Sequence, residues 1–374
     1  MRTVPRVMAF NDDAGGDPGS ETEPYDAGLT FTAPTDGLYY IAVGRYSGGT
    51  FLNATSEYTL HVSVTEPGPS PALGTDGTGA KDILWGGAGD DQIFGGLGSD
   101  ESWGEAGDDI LEGGLGNDTL DGGADNDQLY GANGHDTLRG GSGDDLLNPW
   151  TGNDTLDGGE GVDTVDYSDF GSAISVNLLD LAPQLVSNAA GTDQFANIEN
   201  ILGSKGGDTL TGSHGNNRIE GGGGNDTIFG QKGDDVILGG AQNDTLRGNN
   251  GDDILIGGLG RDIMGGGRGA DVFVFQDPSE TVNGGFRDRI QDFNRNEDLL
   301  DLSAMDADLT SAVDSFTFMN NAAFTSGAGG QLRAFKVTAT NKTIVEGEVD
   351  GDGKKDFQFE LTGLINLTAD HFIL

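Results

Sequence analysis

The chain contains no cysteine. No disulfide can therefore brace it, and a bound metal is the remaining means of stiffening an extracellular fold. Basic residues are scarce, 19 Lys and Arg against 62 Asp and Glu, which leaves a formal net charge of −43 over 374 residues. Phosphate backbones would be repelled, so nucleic acid is excluded as a partner. Self-repulsion on this scale opposes compaction unless something neutralises it. No apolar run approaches the roughly 20 residues that a transmembrane helix needs. Met1 to Phe10 offers no apolar core for a signal peptide, so an export address is expected elsewhere in the chain. The four histidines, His61, His135, His214 and His371, are scattered. H-E-x-x-H and G-x-S-x-G are both missing, as is a phosphate-binding loop after a strand. No catalytic function is expected of this chain, and paired carboxylates of the glycosidase kind are better explained as described next.

What is present is glycine, 67 residues of it, and aspartate at a fixed interval. Aspartate recurs every nine residues at Asp82, Asp91, Asp100, Asp109, Asp118, Asp127, Asp136, Asp145, Asp154 and Asp163. The series resumes in phase at Asp208, is replaced by Asn217, and continues through Asp226, Asp235, Asp244, Asp253, Asp262 and Asp271. Two residues after each aspartate stands an apolar residue, Leu111, Leu120 and Ile237 among them, with Ser102 the exception. Glycines precede the aspartates, as in Gly113-Gly114-Leu115-Gly116-Asn117-Asp118. Glycine permits turns with positive φ. The residues left around each apolar position suffice only for a short strand. One inward side chain per unit makes a thin core, so units must stack to fold. Stacked parallel strands bring equivalent residues to about 4.8 Å, which aligns the aspartates in columns. Columns of like charge need a cation. Hard oxygen ligands suit Ca²⁺ with six to eight donors.

These segments resemble the RTX family of hemolysin-type calcium-binding repeats, G-G-x-G-x-D-x-U-x with U apolar, over residues 77–166 and 203–274. The resemblance implies an all-β parallel β-roll in two blocks, two units to a turn. Each ion would lie between turns on one side, pairing Asp91 with Asp109, Asp109 with Asp127 and Asp226 with Asp244. Backbone carbonyls of the glycine turns would complete the shell: Gly87, Gly89, Gly96, Gly98, Gly114, Gly116, Gly222, Gly224, Gly240, Gly258 and Gly260. Pairing sets a ceiling of about eight sites in the first block and about six in the second. Pro149-Trp150, Glu105, Ala132 and Asn217 break the pattern, and the Asn217 position is expected to bind more weakly for want of a charge.

Outside the repeats, Phe273-Val274-Phe275, Asp288 to Phe293, Asp298 to Ser303 and the ending Asp370-His371-Phe372-Ile373-Leu374 resemble the C-terminal domain of serralysin-type secreted proteases. That domain also occurs in exported polysaccharide epimerases and lipases. It implies a cap on the open end of the roll and an uncleaved terminal signal read by a type I secretion apparatus. Glu348 to Asp356 resembles part of an EF-hand loop, with Asp350, Asp352 and Asp356 as further calcium ligands. The alternative there is an acidic hairpin turn between Val345 and Phe357. Residues 29–33, 38–43 and 58–64 read as strands and resemble the latter part of a pre-peptidase C-terminal β-sandwich whose opening strands are missing, so the chain is expected to be a fragment or the product of a late start codon.

The resulting division is 1–66 N-terminal β-sandwich, 67–76 linker, 77–166 first roll block, 167–202 connector strands kept on the stack, 203–275 second block and 276–374 cap. Two functions remain open. One is an extracellular calcium-binding and secretion module, with a catalytic domain of an exported peptidase or other hydrolase upstream. The other is a stand-alone adhesin or matrix protein with a calcium-stiffened rod. Ice binding is rejected, because the residues flanking the turn glycines, such as Ala88, Leu97 and Asn133, form no uniform threonine face.

Overall fold

The computed structural model describes residues 81–281, 287–305, 316–327 and 330–374, together with the backbone of three short strands, Tyr46–Ser47, Thr50–Phe51 and Tyr58–Val64. The strand-like stretches 29–33 and 38–43 lie outside the described residues. Tyr58–Val64 pairs in parallel with Asp82–Ala88, at the start of the stack.

The repeats coil into a parallel β-solenoid of about 13 turns. Each nine-residue unit contributes one strand. Its glycine turn reverses the chain, and the next unit forms a strand on the opposite face. Strands on one face are therefore 18 residues apart: Thr119–Ala124 pairs with Thr137–Ser142, and Ile110–Leu115 with Gln128–Gly134. One sheet is unbroken from Gln92 to Ile373. The other runs from Asp82 to Ala196 and begins again at Ser175.

Period two within each strand turns only the apolar residue and the first glycine inward. The core is thus two files of side chains facing each other. Ile93, Leu111, Leu129, Leu147, Val165, Ile201, Ile219, Ile237, Leu255 and Phe273 form one file, all buried and in direct register. The facing file starts with Leu84, Ser102, Leu120, Leu138 and Leu156. Ser102 is fully buried and its hydroxyl has no hydrogen-bond partner. Ser102→Leu restores the file between Leu84 and Leu120 and removes an unsatisfied hydroxyl. It should raise stability of the calcium-loaded chain by roughly 1–3 kcal/mol. Urea denaturation in saturating calcium checks this, and a lowered midpoint would show that the slot is too small for leucine.

The stretch 167–202 continues the stack, pairing Asp166 with Leu202 and Leu156 with Phe195. Beyond Phe273 the roll is closed by an antiparallel sheet, Gln331–Val337, Lys342–Glu348 and Phe357–Thr362, whose last strand pairs in parallel with Arg289–Ile290. Phe275 stacks on Phe359 at 4.2 Å between ring centres, and Phe316 meets Phe357 edge-on. The final strand, Phe372–Ile373, extends the unbroken sheet by pairing with Leu300 and Asp301. Helix among the described residues is limited to two single turns, Thr338–Thr340 and Ala369–His371. None is long and apolar enough to cross a membrane.

Candidate calcium sites along the aspartate ladders

Each turn is built for close approach. A side chain at Gly116, where φ is +140°, would collide with the carbonyl oxygen of Gly98 one turn away. Two residues earlier, at the position of Gly114, the non-glycine residues of other turns are also held at positive φ, 78° at Glu105, 69° at Ala132 and 61° at Trp150. The stacked turns on either side over-determine the backbone, so the pattern breaks seen in the sequence leave its geometry intact. Even Pro149 keeps its carbonyl oxygen beside Gly131, where its glycine counterparts hold theirs.

Every repeat aspartate is buried or nearly so. The structure brings them together in two ladders. In each, the backbone N–H of one aspartate donates to Oδ1 of the aspartate one turn later. Asp100 donates to Asp118 at 2.7 Å and Asp118 to Asp136 at 2.8 Å; Asp109 donates to Asp127 and Asp127 to Asp145, both at 2.8 Å. In the second block Asp208 donates to Asp226, Asp226 to Asp244 and Asp244 to Asp262, while Asp235 donates to Asp253 and Asp253 to Asp271. Oδ1 is therefore engaged along the stack by a backbone donor, which leaves Oδ2 as the oxygen to account for.

Oδ2 is the atom without a partner. It is buried and accepts no hydrogen bond at Asp109, Asp118, Asp127, Asp136, Asp145, Asp154, Asp163, Asp226, Asp235, Asp244, Asp253, Asp262 and Asp271. Each except Asp154, which has Pro149 at that position, faces the first glycine of its own turn, and the glycine carbonyl of the next turn commonly converges on the same point. A Cβ on Gly239 would lie 2.5 Å from Asp244 Oδ2 and 2.6 Å from the Gly257 carbonyl oxygen; on Gly86 it would lie 2.6 Å from Asp91 Oδ2 and 2.8 Å from the Gly104 carbonyl oxygen. A lone buried carboxylate oxygen costs about 1–3 kcal/mol or more if charged. An all-oxygen, anionic cradle fits a hard divalent ion of calcium's size. Gly87, Gly89, Gly96, Gly98, Gly114, Gly222, Gly224, Gly240, Gly258 and Gly260 all take positive φ in these turns.

Burial, and after it the neighbouring carboxylates, pushes Asp109 up to about 7 and Asp127 and Asp244 up to about 8. Burial likewise raises Asp118. A carboxyl whose folded value is raised stabilises the fold below its unfolded value, near 3.9, and loses that contribution as pH rises through the folded value. Without calcium, protons should therefore substitute for ions. In EDTA the β signal in circular dichroism should be greater at pH 5 than at pH 8. An equal or smaller signal at pH 5 would contradict the ladder electrostatics.

Four ladder members escaped the nine-residue reading. Asp154 N–H donates to Asp193, Asp163 N–H to Glu199, Asp262 N–H to Asp288 and Asp271 N–H to Asp298. Glu199 and Asp298 lie 36 and 27 residues after their partners, multiples of nine, and were findable by phase; the offsets of 39 and 26 residues to Asp193 and Asp288 were not. A second, exposed ladder of the residues just before the aspartates runs the opposite way: Asn117 N–H donates to Ser99 Oγ, His135 N–H to Asn117 Oδ1 and Asn153 N–H to His135 Nδ1. In the cap, Asp350 and Asp356 meet Glu348, one carboxylate oxygen of each lying within 4.8 Å of the others. Asp352 is not part of that cluster and pairs with Lys354 at 2.5 Å. The loop is also the hairpin turn between Lys342–Glu348 and Phe357–Thr362.

Fold and ladders together define a calcium-binding RTX β-roll. The RTX calcium-binding nonapeptide repeat model matches four times, at residues 76–101, 103–138, 112–147 and 130–165. Repeats of this family bind Ca²⁺, several ions to a block. The chain belongs to the peptidase M10 serralysin C-terminal family, whose model matches residues 154–374. Among solved structures it is similar to the R3 subunit of the Azotobacter vinelandii mannuronan C5-epimerase AlgE6, with 28% identity over 46% of this chain and 80% of that one and a TM-score of 0.29. The R2 subunit of the same epimerase is 29% identical over 47% of this chain and 92% of that one, with a TM-score of 0.30. The extracellular lipase LipA of Serratia marcescens is 16% identical over 74% of this chain and 45% of that one, with a TM-score of 0.24. No curated protein matches the chain.

Proposed function

We propose that this chain is a secreted module that folds on calcium and carries a type I secretion address, and that it is the non-catalytic part of an exported peptidase or other hydrolase. The observation that carries the reading is the file of buried, partnerless Oδ2 atoms, Asp109 to Asp163 and Asp226 to Asp271. They, with Asp82, Asp91 and Asp100, the cap-side ladder members Asp288 and Asp298 and the turn carbonyls, are the ligands we assign. Glu348, Asp350 and Asp356 are assigned one further ion. The boundaries drawn from sequence at 166, 202 and 275 stand as the proposed limits of blocks, connector and cap. Weak acidic sites of this kind stay unloaded where calcium is scarce and fill at extracellular millimolar concentrations. The chain would thus cross a narrow channel unfolded and fold outside, where folding hinders its return.

The terminal residues are the proposed address. Phe372 is buried, and His371 Nε2 lies 3.0 Å from the Arg295 carbonyl oxygen. Deleting Asp370 to Leu374 should abolish export from a host with a type I system, while the purified truncated chain still folds with calcium. Export of the truncated chain at the full-length level would reduce this segment to a closing strand. A stand-alone adhesin, the second reading, predicts no catalytic domain in the reading frame upstream.

A further inference from the structure

The two calcium ladders are not continuous, and what interrupts them is specific. At Asp193, Oδ1 accepts the Asp154 N–H at 3.0 Å and Oδ2 accepts the Tyr167 hydroxyl at 2.6 Å. At Asp208, Oδ1 accepts the Ile174 N–H at 2.9 Å and lies 2.7 Å from the Ser204 hydroxyl, and Oδ2 accepts the Ser204 N–H at 2.6 Å. At Asn217, Oδ1 accepts the Ser213 N–H at 2.7 Å and Nδ2 donates to the Glu199 carbonyl at 2.6 Å. These side-chain oxygens are satisfied by the protein, whereas Oδ2 of Asp154, Asp163, Asp226 and Asp235 on either side is bare.

The chemistry of the difference is local. In a nonapeptide turn the residue four before the aspartate is commonly a positive-φ glycine, Gly114 before Asp118 for instance. At Asp208 and Asn217 that residue is Ser204 or Ser213, whose N–H folds back onto the carboxylate or amide. Asparagine brings its own donors and no charge. The same stretch has a fuller core than a repeat does. Tyr167 is completely buried and packs against Phe170 at 5.8 Å and edge-on to Phe195 at 6.5 Å between ring centres. Ile174, Val176, Val186 and Ile198 are buried with them.

We infer that residues 167–217 form a calcium-independent joint that splits the array into two separately loading blocks, with Tyr167, Ser204 and Ser213 supplying by hydrogen bonds what an ion supplies in the repeats. The inference rests on the calcium reading of the flanking ladders. In a solenoid, coupling passes only between neighbouring turns, so turns that need no ion stop the spread of loading from one block to the other.

Hydrogen–deuterium exchange of the full chain across a series of free calcium concentrations tests it. Peptides from 167–217 should remain protected at calcium levels where peptides from 84–165 and 219–273 exchange freely. Asp244→Ala should weaken calcium-induced protection of 219–273 by about tenfold or more, on the scale of lost ligand-shell contacts, and leave 84–165 unmoved. Tyr167→Phe keeps the ring and should fold in saturating calcium, yet lose protection of 167–217 when calcium is withdrawn. The joint is overturned if 167–217 loses protection together with both blocks in the unaltered chain. It is overturned equally if Asp244→Ala shifts both blocks alike, or if Tyr167→Phe leaves joint protection unchanged. Protection independent of calcium in all three regions is a separate outcome, and it would remove the underlying calcium reading and this inference with it.

Discussion

Chelating calcium at pH 7.5 is expected to unfold both repeat blocks. Their apolar core has one inward side chain per nine residues, too little for a strand pair to hold alone. Against it stand a net charge of −43 and at least thirteen buried carboxylate oxygens that no donor reaches. Even at about 1 kcal/mol apiece, the low end for an unsatisfied buried acceptor, the penalty matches the entire stability of an ordinary domain. The cap should outlast the blocks, since ion pairs between side chains support it beside the one ion assigned there. There Arg287 and Lys342 pair with Glu360, and Arg333 and Lys355 with Glu346. A compact chain of this length has a radius of gyration near 21 Å and an unfolded one near 70 Å, so X-ray scattering in EDTA should move at least halfway between them. A radius unchanged by EDTA would refute the claim.

Asp118→Ala is expected to be the more damaging of two neighbouring aspartate substitutions, by a wide margin. Asp118 Oδ1 accepts the Asp100 N–H, and its Oδ2 is one of the bare oxygens facing the turn glycine Gly113. Alanine therefore strands a buried N–H and deletes a ligand in one step. Calcium affinity should fall about tenfold or more at that turn, and the loss should extend to its neighbours on the same ladder. Asp121, three residues on, lies on the outer face in register with Trp103 and Arg139. Replacing it should change stability by less than about 0.5 kcal/mol, as is usual for a surface site. Calorimetric titration of the two variants decides the matter: equal calcium binding would mean that the ladder register is wrong.

Much of this was legible in the residues themselves, because the information repeats. The nine-residue phase of aspartate and the apolar residue two places later gave both the inward files and the alignment of carboxylates. Phase alone carried no information about which oxygen does what. Oδ1 is claimed by a backbone N–H one turn back, a contact that exists only once the turns are stacked. The joint was hidden for a related reason. Tyr167 reaches Asp193 across a 26-residue separation that matches no period, and Ser204 and Ser213 look like ordinary glycine replacements until their N–H groups are seen turned inward. Glu105, Ala132 and Trp150 looked like faults, yet they adopt the strained conformation of the glycines they replace. Asn217 was expected to be a weakened calcium site; its geometry is that of a turn closed by Ser213. In the cap, alternation of acids pointed to Asp350, Asp352 and Asp356, but strand geometry puts Glu348 in the cluster and leaves Asp352 to Lys354.

The central claim is that calcium binding and folding of the repeats are one process. It is tested most directly by measuring both on the same samples, calcium bound per chain by equilibrium dialysis and β structure by circular dichroism, across a calcium titration at pH 7.5. Because the sites exist only in the stacked turns, the two curves should rise together and steeply, and magnesium, which demands a small octahedral shell, should reproduce neither. A β signal already at its full value before calcium is taken up would contradict the account.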